Sequence, residues 1–395
     1  MTVFDALIGQ NAAIAELSRA AAAAADLIAG RPAQPGALTH AWLFTGPAGS
    51  GRSVAARALA AAVQCDRQPA GCGACPACSA VQAGTHPDVR QVVPEGLSIG
   101  VNEMRSVVGL SARRPSLGRW QVVVIEDADR LTEGAANALL KAIEEPPERT
   151  IFLLCAPSTH PDDVIVTIRS RCRVVPLRIP PAAAIAEVLR AEGFDADTAE
   201  WAAQASGGHI GRAKRLARDP EARARREAVL AIPARLTSLH ACFEAADHLV
   251  QAAEAEARSL HADQDVTEIE ELKVAMGAGG TGKGATAAAR GSAGVLKELE
   301  RRQKSRATRL QRDALDRALV DLASFYRDVL LVQSGAEVPA AHPDFATDVR
   351  TVARALDPAG ALNRLDEVLA CRQAIELNVK PKIAVEAMTA ALRLP

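Results

Sequence analysis

Aromatic residues are scarce in this chain: one Tyr, three Trp and seven Phe make up 3% of its 395 residues. That shortage argues against an aromatic-rich all-β fold. The hydrophobic 49%, supplied largely by Ala, Val and Leu, favours closely packed helices instead. Charge of one sign is lacking too. With 46 basic and 47 acidic residues the formal net charge is −1, so no global field gathers nucleic acid or an anionic membrane, and any DNA contact must be local. No stretch offers ~18 uninterrupted apolar residues for a membrane span, and the opening MTVFDALIGQ has no basic region followed by an apolar run. The expectation is a cytoplasmic protein of two or three domains with no membrane partner.

Short apolar runs alternate with helical patterns up to about residue 178. AWLF (41–44), QVVVIE (121–126) and IFLLCA (151–156) read as buried strands, being continuous, rich in β-branched or aromatic residues, and ended by Gly, Asp or Pro. Between the last two, residues 131–147 carry an N-cap in Thr132, apolar residues at helical spacing and a Pro-Pro stop. This alternation predicts an α/β domain over 1–178 with a parallel sheet covered by helices. Residues 179–235 read as a small helical lid, and 236–395 as a further helical domain. The latter is interrupted near 262–300 by an insertion expected to be mobile, whose centre (277–294) is too rich in Gly, Ala and small polar residues to bury much surface. Its GAGGTGKGA mimics a phosphate loop with Lys283 in place, but no strand leads into it and Gly284 stands where a Ser or Thr would meet magnesium.

A phosphate loop with its proper context occurs earlier. Gly46-Pro-Ala-Gly49-Ser-Gly51-Arg52-Ser53 follows the strand AWLF and opens a helix, so backbone N–H groups and the helix N-terminus could hold phosphates without any side chain. Ser53 supplies the hydroxyl expected at Mg²⁺. Arg52, however, occupies the place of the usual Lys, and its longer planar fork cannot pair with phosphate from the same point. At the end of the strand VVVIE the acids come as Glu126 then Asp127, reversing the usual order of a metal-shell Asp followed by a water-positioning Glu. A misplacement of about an ångström can cost ~100-fold in rate, so ATP or ADP with Mg²⁺ could bind here while intrinsic hydrolysis is expected to be weak or absent.

Eight cysteines are present, and four of them, Cys65, Cys72, Cys75 and Cys78, fall at intervals of seven, three and three with Gly and Pro between. Four thiolates can close a tetrahedral Zn²⁺ site with no position left for a reacting water, which makes the expected zinc structural. His86, in GTHPD, reads as a turn residue.

Taken together, GPAGSGRS, the four-cysteine module at 65–78, AGTHPDV, NALLKAIEEPPE and SRC (170–172) resemble the clamp-loader branch of the AAA+ proteins. The resemblance implies an AAA+ nucleotide-binding domain, a lid, and a helical collar joining a ring. It also implies a stator subunit with a degenerate ATP site inside a DNA polymerase III holoenzyme, in the replisome at the nucleoid. Its implied partners are tau/gamma-type motor subunits and a delta subunit, with the sliding clamp and primer–template DNA met through the complex. From the sequence, Arg169, Arg171 and Arg173 are equal candidates for a cation offered across an interface. The resemblance singles out Arg171 as an arginine finger reaching the ATP site of an adjacent motor subunit. It also places Arg212 near a second-sensor arginine, offset by one residue, and Ser158 near a first sensor. Two alternatives compete: an active tau/gamma-like motor, motivated by the intact glycines and Ser53, and a zinc-dependent DNA-binding protein. Near-neutral charge and the lack of basic or aromatic residues among the four cysteines beyond Arg67 argue against the second.

Overall fold

The computed structural model describes residues 2–117, 119–275 and 285–395. It divides into two compact units, Met1–Ala217 and Arg218–Pro395. The division falls inside the span 179–235 expected as a lid.

In the first unit, a five-stranded sheet is built from β1 (Ala41–Thr45), β2 (Val89–Val92), β3 (Gln121–Ile125), β4 (Thr150–Ala156) and β5 (Arg173–Pro176), in the order β2-β3-β4-β1-β5. All four pairings are parallel, with Trp42 opposite both Leu153 and Arg173. The helices are α1 (Asn11–Ile28), α2 (Arg52–Gln64), α3 (Pro76–Gln82), α4 (Val101–Ser111), α5 (Glu133–Glu144), α6 (Val166–Arg169), α7 (Ala182–Ala191), α8 (Ala196–Ala205) and α9 (Ile210–Arg218). Side chains alternate across the sheet, so each strand feeds two cores. Trp42, Phe44, Val122, Val124, Ile151 and Leu153 pack with Leu17 and Leu59 of α1 and α2. Ala41, Leu43, Val123, Ile125, Phe152 and Leu154 pack with Met104 and Leu139 of α4 and α5. Burial on both faces explains why β1, β3 and β4 are continuous apolar runs. The edge strands β2 and β5 are four residues each and half-polar. As the sequence predicts, Thr132 caps α5, its Oγ1 accepting from Ala135 N at 3.3 Å.

The second unit is helical: α10 (Pro220–Leu230), α11 (Ile232–Arg235), α12 (Leu239–Ala275), α13 (Ala285–Ser334), α14 (Ala346–Ala355), α15 (Pro358–Glu376) and α16 (Pro381–Ala391). Its core gathers Leu249, Leu315, Leu319, Leu322, Phe325, Tyr326, Val349, Val368 and Val385. Within the span 262–300 expected as a mobile insertion, residues 262–275 and 285–300 belong to the long helices α12 and α13. Its centre at 276–284, including Lys283, lies outside the described residues. Among the described residues no helix is long and apolar enough to cross a membrane.

One polar network reaches from the surface into this unit. Arg226 of α10, 4% exposed, donates to both oxygens of Asp344 (2.5 and 3.1 Å) and to His342 Nδ1 (2.9 Å). Asp328 of α13, 1% exposed, accepts from the backbone N–H of Ala341 and of His342. Since Arg can only donate, His342 is neutral with its proton on Nε2. Burial first, then the Arg226 cation, holds His342 below its ordinary value of 6.5, against the opposing pull of Asp321, Asp328 and Asp344. The folded chain therefore leaves His342 neutral where the unfolded chain takes up a proton. Its contribution to stability is complete above about pH 6.5 and declines as pH falls below it. Thermal melts at pH 7.5 and 5.5 should show the wild type losing more stability over that interval than His342→Gln, whose amide oxygen can still accept from Arg226.

Candidate functional site

The loop 46–51 joins the end of β1 to the start of α2 and is held from several sides. Gly46 N–H donates to Pro157 O (3.1 Å), and Ser50 N–H to Pro47 O (3.1 Å). The buried Gln10 reaches across with Nε2 to Arg178 O (2.6 Å) and Ser50 O (3.4 Å), while its own Oε1 accepts from Arg178 N. Two glycines are obligatory here. At Gly46 (φ +154°) a methyl would stand 2.5 Å from Leu177 O, and at Gly49 (φ +86°) it would stand 2.8 Å from His209 Cα. The His209 backbone, one residue before α9, thus lies directly against the loop.

Arg52 and Ser53 form the first turn of α2, where backbone N–H groups carry partial positive charge. The Arg52 charge acts on Asp129, beyond β3. Arg52 Nη1 is buried without a hydrogen-bond partner, as are Asp129 Oδ1 and Ser50 Oγ. Burial raises the Asp129 carboxyl, and the Asp127 charge adds to this, while Arg130 and Arg52 pull the other way. Burial likewise raises the Cys155 thiol on β4, with Glu126 reinforcing and Arg52 opposing. Glu126 continues the β3 register through its N–H to Val92 O (2.9 Å), and Asp127 adopts a left-handed conformation (φ 54°). Glu126, Asp127, Asp129 and Arg52 therefore share one electrostatic neighbourhood at the carboxyl end of the sheet. Two unpartnered donors, Ser50 Oγ in the glycine-lined loop and Arg52 Nη1 at the start of α2, fit an anionic guest such as a phosphate, whereas the Asp129 oxygen, an acceptor, does not. The approach of His209 to Gly49 narrows the same space.

Three arginines around the α6–β5 link have different fates. Arg173 is tied inward: its Nη groups donate to Gly36 O (2.6 Å) and Ala37 O (3.3 Å), its guanidinium lies 5.2 Å from the Trp42 ring centre, and Glu16 is 3.7 Å away. Arg169 donates to Thr159 O at 3.2 Å. Arg171 keeps its side chain 40% exposed and meets Glu144 at 2.7 Å, with Nη1 donating to Thr167 O (3.0 Å) and Ser170 Oγ (3.3 Å).

Cys65 caps the C-terminus of α2, Cys75 caps the N-terminus of α3, and Cys78 lies in its first turn, with Pro76 between them. The four sulfurs of Cys65, Cys72, Cys75 and Cys78 lie within 4.8 Å of one another, and the Cys65–Cys75 separation is 3.8 Å. Tetrahedral Zn–S bonds of about 2.3 Å require S–S edges of about 3.8 Å, so the group could hold such an ion. Cys65, Cys75 and Cys78 are buried and Cys72 is half-exposed. Backbone N–H of Ala74 and then of Cys75 draw the Cys72 thiol down to about 7, whereas burial pushes Cys75 and Cys78 up. A dication at the centre would compensate the buried thiolates. His86 lies outside the cluster, its Nδ1 accepting from Asp88 N (3.2 Å), as expected of a turn residue.

Residues 27–181, which contain the loop, the acids, the cysteine cluster and Arg171, match the family described as DNA polymerase III, delta subunit. The DNA polymerase III subunit delta' of Pseudomonas aeruginosa is 42% identical over 154 residues, 38% of this chain and 46% of that protein. Over this region the chain is similar to DNA polymerase III delta' subunits. The DNA polymerase III subunit tau of Bacillus subtilis is 39% identical over 138 residues, 34% of this chain and 24% of that protein. The chain thus spans less than half the length of either curated relative. A solved DNA polymerase III gamma subunit-related protein from Thermotoga maritima covers 95% of this chain and 98% of its own, at 15% identity and a TM-score of 0.38, too low to bear on the site.

Of the residues the sequence singles out, Gly46, Gly49, Gly51, Arg52 and Ser53 lie in the glycine loop and the first turn of α2, with Glu126 and Asp127 at the end of β3. Arg212 lies on the first turn of α9, its N–H donating to His209 Nδ1 (3.2 Å). Ser158 is engaged locally: its hydroxyl donates to Asp163 Oδ2 (2.6 Å) and accepts from His160 N. Arg171 is elsewhere, at the opposite end of the sheet. Sequence reasoning missed Asp129 and His209. Asp129 stands in the same IEDAD run, and its even spacing from Asp127 is the signal that could have found it. Metal analysis of the purified chain should find one zinc per molecule. Cys78→Ser should lose it and lower the melting temperature by roughly 5–10 °C, equivalent to about 2–3 kcal/mol.

Proposed function

We propose that the chain is a delta-prime-like stator subunit of a sliding-clamp loader, holding a degenerate nucleotide site of its own and giving Arg171 to the ATP site of an adjacent tau/gamma-type motor subunit. One observation carries the reading. Arg173 pairs across from Trp42, four residues before Gly46, which separates it from the loop by roughly 13 Å along the strand. Arg171 lies two residues further away, beyond the reach of one side chain. It precedes the edge strand β5, where no further strand follows it. An exposed guanidinium that cannot serve its own phosphate loop is suited to serve another chain's, where it would stabilise charge on the transferring phosphoryl group.

Arg52 in place of Lys, the Glu126-Asp127 order and His209 against Gly49 support weak or absent intrinsic hydrolysis. The loop, Arg52 and Ser53 would hold ATP or ADP with Mg²⁺ if nucleotide binds, Arg212 approaching from α9. The four cysteines would hold a structural Zn²⁺. In this reading a delta-type subunit, the sliding clamp and primer–template DNA are met through the assembled complex in the cytoplasm, and the helical second unit acts as the collar. A second reading, an active motor, is favoured by Ser50 Oγ within the loop and Arg52 Nη1 beside it, two donors left without a hydrogen-bond partner.

ATP turnover separates the two. The purified chain should hydrolyse ATP near background. In a complex reconstituted with motor and delta-type subunits, Arg171→Ala should slow the neighbouring site ~10³-fold or more. Strong turnover by the chain alone, abolished by Arg52→Ala, would instead establish the motor reading.

A further inference from the structure

We infer that Glu144 is a positioning residue for Arg171, fixing the guanidinium at the protein surface before any phosphate arrives. This rests on the reading of Arg171 as a group given to a neighbouring subunit. Glu144 is the last residue of α5, and the helix ends there because Pro146 and Pro147 follow. A carboxylate at that end faces the negative pole of the helix, the unfavourable place for it. Its partner is therefore what explains its charge. That partner is Arg171, whose Nη2 lies 2.7 Å from Glu144 Oε1.

The pair is a poor stability device, since both side chains are about 40% exposed (40% and 43%) and water screens them. What it does achieve is orientation. Nη2 is held by Glu144, and Nη1 by Thr167 O and Ser170 Oγ, so a long side chain with four rotatable bonds is fixed at three points while its outer surface stays open. The platform is rigid: α5 packs through Leu139 and Ile143 against the sheet, and Ile143 O is bonded to His40 Nε2 at 2.8 Å beside the start of β1. An arginine already oriented loses less rotamer freedom on meeting a phosphoryl group, and that saving appears in the rate of the step it assists.

The test is steady-state ATP turnover by the reconstituted clamp-loader complex carrying this chain as wild type, Glu144→Ala, Glu144→Gln, Arg171→Ala or the Glu144→Ala/Arg171→Ala pair. Glu144→Ala should lower kcat at the assisted site about 3–10-fold with KM for ATP unchanged. Glu144→Gln, which keeps an acceptor oxygen, should lose less. In the Arg171→Ala background Glu144→Ala should have no further effect, an outcome that a merely structural role would not produce. If Arg171→Ala slows the complex while Glu144→Ala leaves kcat intact, or if Glu144→Ala acts equally in both backgrounds, Glu144 does not position the arginine and the stator reading stands. If Arg171→Ala itself changes nothing, the reading and the inference fall together.

Discussion

The parallel insertion of β1 between β4 and β5 governs the chemistry of the first unit. Parallel strands place all their carboxyl ends on one side, and a loop that leaves an interior strand there is met by the ends of other strands. In this chain that side receives the glycine loop from β1, the acids from β3 and the Pro157 carbonyl from β4. The amino ends lie on the other side, and the SRC link enters β5 there. Arg171 and Gly46 are thus divided by the length of the sheet. The same pairing explains Arg173, which lies beside Trp42 and is consumed by the fold through the indole face, Glu16 and two carbonyls. Three arginines within five residues differ in role because the strand register assigns them to different surroundings.

At the carboxyl side the balance of charges differs from that of a working phosphate loop. A lysine would project a compact cation toward the guest, whereas Arg52 lies close enough to influence Asp129 and Cys155. Nη1 of Arg52 and Oδ1 of Asp129 nonetheless lack hydrogen bonds. Buried polar atoms without partners are costly, and an anion would relieve only the Arg52 donor, the Asp129 oxygen needing a proton donor instead. In phosphate loops generally, binding and turnover can separate, because binding draws on backbone N–H groups while turnover needs side chains placed to within about an ångström.

Much of this arrangement was legible from the residues alone. β1, β3 and β4 announce themselves as continuous apolar runs because helices cover both their faces, and Thr132 and the Pro-Pro stop bound α5 correctly. β2 (VRQV) and β5 (RVVP) escaped because edge strands need no apolar face on the side they leave open. The four cysteines were readable as a group because their close spacing, with Gly and Pro between, lets the chain fold back and bring the sulfurs within 4.8 Å of one another. Asp129 and His209 were not singled out: the significance of Asp129 comes from a short-range charge neighbourhood, and that of His209 from a contact between segments 160 residues apart. Glu144 sits in plain view in EEPP, but only the fold brings it to Arg171.

The second unit shows how a composition can hide length. Gly and Ala in 277–294 suggested a long irregular insertion, yet α12 runs for 37 residues and α13 for 50. Isolated helices of such sequence would be marginal in water, so tertiary partners must sustain them. Nearest the core those partners are apolar: Leu249, Ala253 and Ala257 on α12, and Ala314, Leu315 and Leu319 on α13. Further along they become polar, with Arg306 bridging Asp265 and Glu268, and Gln303 donating to Asp265 O and Glu268. Exposed ion pairs contribute little each, but these residues are only 16–33% exposed and share one carboxylate among several donors, which fixes the register of the two helices where apolar packing thins out.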